Sequence, residues 1–130
     1  MISNFSDLLA MAESQDQPQR LLFLFALAEG GNGKKKNKKQ KDSGTIAPVM
    51  CVDKLPQEIA SFEALVSEAD NISKDWNFII IAGLSGVNGQ APSTEDADPY
   101  LNQMANGLTM GEDLSRYVIF DRQQNPITMQ

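Results

Sequence analysis

Histidine is absent from this chain of 130 residues, and cysteine occurs once, at Cys51. The first absence excludes Ser-His-Asp and Cys-His catalysis and any zinc site built on imidazole. The second excludes an internal disulfide, and cysteine-rich zinc or iron–sulfur centres within one chain. Any catalysis would fall to carboxylates, lysines, Tyr100, Tyr117, hydroxyls or a borrowed cofactor, and no residue set marks a resident cofactor or metal. Long apolar runs are missing too: none approaches the ~20 residues of a membrane-spanning helix. Met1 to Asp7 lacks a basic region followed by an apolar stretch, so no secretory leader is expected. The expectation is an intact cytoplasmic chain, folded as one domain over 1–130, with no membrane contact.

What is present is ordinary in bulk, with 42% apolar and 22% charged residues and a net charge of −6. It is unusual in one place. Lys34, Lys35, Lys36, Lys38, Lys39 and Lys41 supply six of eleven bases, and outside them five bases face seventeen acids. The segment 30–44 that holds them is rich in glycine, lysine and asparagine, and reads as a mobile loop. Three roles stand open for it: a solvated loop, a polyanion or nucleic-acid contact, or a contact for an acidic protein surface. Without interleaved aromatics or arginines the run could hold phosphates but hardly read a sequence. A P-loop fails, because Ala28 and Lys35 stand where that motif needs glycine and a hydroxyl.

Periodicity predicts the order αββαβαββ. Phe5, Leu8, Leu9 and Ala12 mark a first helix, capped by Ser3 or Ser6. Leu21 to Ala28 is apolar without alternation, as in a strand buried on both faces. Ile46 to Val52 is a second strand, where Pro48 implies an edge or a bulge. Pro56 opens a second helix with Ile59, Phe62, Leu65, Val66 and Ala69 on one face. Trp76 to Leu84 is a third strand, with Trp76 as its anchor, and Asp98-Pro99 starts a helix carrying Tyr100, Leu101, Met104 and Leu108. Tyr117 to Phe120 and a short strand near Ile127 complete the set. Helix-linked strands favour parallel neighbours and directly joined ones hairpins, so an α/β (α+β) domain with a mixed sheet is expected. A thioredoxin-like core is a possible arrangement of the later elements, although no C-x-x-C motif is present.

The glycine-rich turn after the third strand is the candidate small-molecule site. Gly83, Gly86 and Gly89 would let backbone N–H groups approach an anion, while Ser85, Asn88, Ser93 and Thr94 add hydrogen-bonding side chains. The competing role is a plain connection in which Ser93 or Thr94 caps a helical turn. A nucleophile elbow is excluded, since Val87 stands where glycine is required. Glu95, Asp96 and Asp98 could hold a hard cation, but acids there also suit a helix start. Cys51, between Met50 and Val52, reads as a buried, unreactive thiol.

Several stretches resemble a group of small proteobacterial proteins of unassigned function. They are Pro18 to Phe25, Pro48 to Lys54, Ala82 to Gly86, Ala91 to Ala97 and Phe120 to Arg122. Members are often labelled ribonucleotide reductase subunit alpha. That enzyme uses several redox-active cysteines, and with Cys51 alone no reductase residue carries over to this chain. The functional expectation is therefore a non-catalytic protein-binding or adaptor domain, with a protein partner or a second copy of itself. The alternatives are ligand binding, or catalysis, at 83–94 and polyanion binding through Lys34 to Lys41.

Overall fold

The apolar run from Leu21 to Ala28 forms the middle of strand β1 (Gln19–Glu29), whose residues Leu21 to Ala26 are all buried. A computed structural model describes residues 2–29, 45–111, 114 and 117–127, so the Lys34–Lys41 run and its loop lie outside the described residues. Around β1 the chain adds α1 (Phe5–Glu13), β2 (Thr45–Lys54), α2 (Phe62–Ile72), β3 (Phe78–Ser85), α3 (Thr94–Thr109) and β4 (Val118–Asp121). The four strands form one sheet in the order β2-β1-β3-β4, so the domain is α+β as expected.

Every pairing in that sheet is antiparallel, which corrects the expected mixed sheet. The physical reason is the place of β1. Strands β2 and β3, linked through α2, do run in the same direction, but β1 lies between them and pairs antiparallel with both. The result is a split βαβ unit. The adjacent parallel pair of an ordinary βαβ unit does not form among the described residues, and the thioredoxin-like arrangement falls with it. β2 is an edge strand, and its register slips so that Val49 is the extra residue between Met50 and Pro48. Pro48 thus sits both at an edge and beside a bulge, the two places that tolerate a missing N–H.

Side-chain alternation divides the core into two layers. Leu21, Phe23, Phe25, Ile79 and Ile81 face α1 and α2, packing against Phe5, Leu8, Phe62, Leu65 and Trp76. Leu22, Leu24, Ala26 and Ile80 face α3, meeting Ala97, Leu101, Met104 and Leu108. Phe5, Phe62 and Phe120 meet edge-on with centroids 5.5–6.4 Å apart, a favoured aromatic geometry.

Several boundaries differ from expectation for local reasons. Asn4, not Ser3 or Ser6, caps α1, its Oδ1 accepting from the Asp7 N–H at 2.9 Å. Pro56 opens only a 3₁₀ turn, and α2 starts afresh after Ser61, whose Oγ accepts from the Ala64 N–H. Ser93 caps α3 through a reciprocal pair with Asp96, both bonds 3.0 Å. That cap is strong enough to start the helix before Asp98, leaving Pro99 inside it. β3 begins at Phe78; Trp76, two residues earlier, is buried and donates its indole N–H to Asp70. The expected last strand shrinks to one bridge, Phe120 to Pro126.

Candidate functional site: a groove at the open edge of β3

β4 covers only the first half of β3. Their ladder runs from Phe78↔Asp121 to Ile81↔Val118, and the N–H of the next residue, Tyr117, donates to Leu114 C=O. Among the described residues nothing pairs with that side of Ala82 to Ser85. The exposed edge forms the floor of a groove of about 690 Å³. Leu8, Met11 and Ala12 of α1, with Gln15 just after it, form one wall, and Tyr100, Gln103 and Met104 of α3 the other.

The groove is chemically plain. Among the described residues its lining contains no Asp, Glu, Lys or Arg, in a chain where such residues make up 22%. Met11 and Tyr100, one from each wall, are 47% and 48% exposed, which makes the groove a meeting place of large apolar side chains in contact with water. Tyr100 was expected in the apolar stripe of its helix; Leu101, Met104 and Leu108 fill that role while Tyr100 turns to the groove. At the floor, Gln19 is buried and donates from Nε2 to Ser85 Oγ at 2.8 Å and to Gln17 C=O at 3.1 Å.

The seven turn residues do not converge. Gly83 and Ser85 belong to β3 rather than to the turn, and Gly83 alone of the seven lines the groove. Gly86 is buried, and a Cβ there would overlap the Gln90 carbonyl oxygen, so its glycine serves packing. Asn88 and Gly89, with φ of 56° and 77°, are the tip of a two-residue hairpin closed by Val87 and Gln90. Gly89 N–H donates to Gln17 Oε1 at 2.9 Å. Ser93 is occupied in its cap, and Thr94 Oγ1 donates to Asp53 Oδ2 at 2.8 Å.

That last bond belongs to a partly buried cluster tying the two halves of the sheet to α3. Arg20 Nη1 meets Asp53 Oδ2 at 2.7 Å and its Nε donates to Pro92 C=O at 2.6 Å. The cluster is complete in itself. Glu95 and Asp96 sit in the first turn of α3, and among the described residues no group of three or more Asp, Glu, Cys or His is placed to hold a metal ion. Cys51 is exposed rather than buried, because it lies on the β2 edge strand. Partial desolvation there still raises its thiol above the ordinary value.

Of the groove lining, Gly83 was named as a candidate on sequence grounds, and the wall residues were legible only as ordinary helix positions. Met11 lies on α1 and Gln15 just beyond its end, and nothing in their spacing shows that β4 ends short of them. Comparison with family models, with curated proteins and with solved structures finds no match. No helix of the described residues is long and apolar enough to cross a membrane.

Proposed function

We propose that this chain is a non-catalytic protein-binding domain of the cytoplasm, and that it docks its partner in the β3-edge groove. The observation that carries the reading is the conjunction, among the described residues, of a strand edge without a pairing partner, walls without charged side chains, and two large exposed apolar side chains. Surfaces of that kind suit partner chains, whereas Gly86, Gly89 and the hydroxyls of Ser85, Ser93 and Thr94 are occupied by bonds and packing within the fold. The reductase label of the resembling group adds nothing to this reading, since Cys51 has no partner thiol in the chain.

The test is site-specific photo-cross-linking in cells. A photoreactive amino acid placed at Gln103, an exposed groove position, should give a discrete protein adduct; one at Glu63, exposed on α2, should not. The adduct should fade when Met11 and Tyr100 are both changed to Ala. Equal labelling from both positions, or none from Gln103, would sink the proposal.

A further inference from the structure

We infer that the groove takes an extended peptide segment, which adds to the sheet as a fifth strand against Gly83 and Ser85 and carries lysine or arginine beyond its apolar stretch. This rests on the reading of the groove as a protein-docking surface, and goes on to say what form and charge the docked segment has.

The backbone gives the form. Gly86 N–H donates to Pro18 C=O at 2.8 Å, so even-numbered residues of β3 turn their N–H and C=O toward β1. Odd-numbered residues turn theirs the other way, as an antiparallel ladder requires. On the β4 side the same alternation appears from the far edge, where Ile127 N–H bonds Ile119 C=O at 2.8 Å and leaves Val118 and Phe120 facing Ile81 and Ile79. The next outward-facing residues are Gly83 and Ser85, and among the described residues none pairs with their outward donor and acceptor beyond the last pair of the ladder. An added strand would continue the line of β4. Gly83 and Ser85 are both exposed, and a Cβ at Gly83 would come within 3.0 Å of Gln19 Oε1, so the glycine lets the Gln19 side chain lie across the strand to Ser85. Strand addition of this kind takes affinity from main-chain bonds and selectivity from alternate side chains, which here would fall between Met11 on one wall and Tyr100 on the other.

The surroundings give the charge. The groove continues past Ala12, Gln15 and Gln19, which it shares with a second depression of about 350 Å³. That depression holds Glu13 and Asp16 and, among the described residues, no basic one. A segment leaving the neutral groove in that direction meets carboxylates, so bases are favoured there and acids repelled.

The probe is a phage library of random linear decapeptides panned against the full chain, with selected peptides then made synthetically. Selected sequences should alternate apolar and polar residues and carry Lys or Arg at one end. Their binding should slow amide exchange at Gly83 and Ser85. N-methylation of alternate peptide amides should weaken binding by about tenfold or more, since each lost main-chain bond counts. Exchanging the terminal bases for Glu should weaken it several-fold, less so at high salt. Gly83→Pro removes an outward N–H while sparing the bonds to β1, and should abolish binding. Should that variant fail to fold, the N-methylated peptides decide the matter alone.

Selection of helical spacings, indifference to N-methylation, or no enrichment over Gly83→Pro would overturn the inference. So would a dimer seen by sedimentation and broken by Gly83→Pro, which would make a second copy the occupant. An adduct from Gln103 together with any of the first three results would leave the docking reading standing and remove only the strand.

Discussion

The guanidinium of Arg122 lies 3.8 Å above the centroid of the Trp76 indole. The same group donates two bonds to Asp70, at 2.9 and 3.2 Å, one to Trp76 C=O and one to Lys74 C=O. Trp76 in turn donates its ring N–H to Asp70. One side chain from the loop after β4 thereby locks the end of α2 to the start of β3. Its planar, forked geometry is what lysine lacks. Arg122→Lys should lower stability by about 1–2 kcal/mol, read by urea unfolding. A loss no larger than that of Arg122→Ala's exposed neighbours, such as Gln123→Ala, would show the stack to be idle.

Acid should loosen the same junction. The Arg122 hydrogen bond, with its charge, holds the Asp70 carboxyl below the usual range against some opposing desolvation. At Asp121 burial acts to raise the carboxyl, but hydrogen bonds from Asn125 and Gln123 outweigh it and keep the group low. A depressed native value means that the unfolded chain binds the proton first. The stabilisation is therefore full above the unfolded value of about 3.9 and fades as pH falls through the native one. Asp70→Asn should lower Tm at pH 7, and the gap to the wild type should close as pH drops below about 4. A gap that is constant from pH 7 to 3 would contradict this.

The Arg20–Asp53 pair is better shielded, with 12% and 13% of the side chains exposed. Asp53→Ala would leave Arg20 Nη1 and the Thr94 hydroxyl without their shared acceptor. The expected loss is about 2–3 kcal/mol in unfolding free energy. Since Arg20 also holds Pro92, amide exchange near the start of α3 should rise with it. Exchange that rises only in β2 would detach the cluster from the helix.

Two glycines three residues apart should answer the same substitution differently. At Gly86→Ala the new methyl meets the Gln90 carbonyl and comes within 3.0 Å of Pro18 C=O, so the hairpin must open; about 2–3 kcal/mol should be lost. At Gly89→Ala nothing stands within 4 Å, and only the positive φ of 77° opposes the change, for about 1 kcal/mol. Thermal melts of both variants check the order.

Cys51 should react with a maleimide in the folded protein, because its side chain is exposed. The raised thiol keeps the thiolate fraction low, so labelling should be slower than for free cysteine at pH 7 and catch up as pH rises. Labelling that needs denaturant would contradict the exposed position.

Much of the fold could be read from residue patterns, and what escaped has physical causes. The unalternating run at Leu21–Ala28 announced a strand covered on both faces, and Pro48 announced an edge. What periodicity does not contain is which strand lies between which, so the insertion of β1 between β2 and β3 was not foreseen. Asn88-Gly89 is a strong hairpin signal that went unused, because the glycines around it suggested a ligand loop instead. The Ser93 capping box competed with Asp98-Pro99 as a helix start and prevailed, since two reciprocal bonds satisfy donors that a proline only removes. The groove was the least legible part. It exists because one ladder ends four residues before its neighbour, a fact of register that side-chain chemistry does not announce.

The central place of β1 also matters while the chain is being made. Ribosomes release Gln19 to Glu29 early, yet the residue that Gln19 finally touches, Ser85, lies 66 positions later. Throughout that interval β1 can pair only with β2, and the face that α3 finally covers stands open. Synthesis thus exposes this apolar strand before its β3 and α3 partners exist, and the nascent chain is where its demand on chaperones will be greatest.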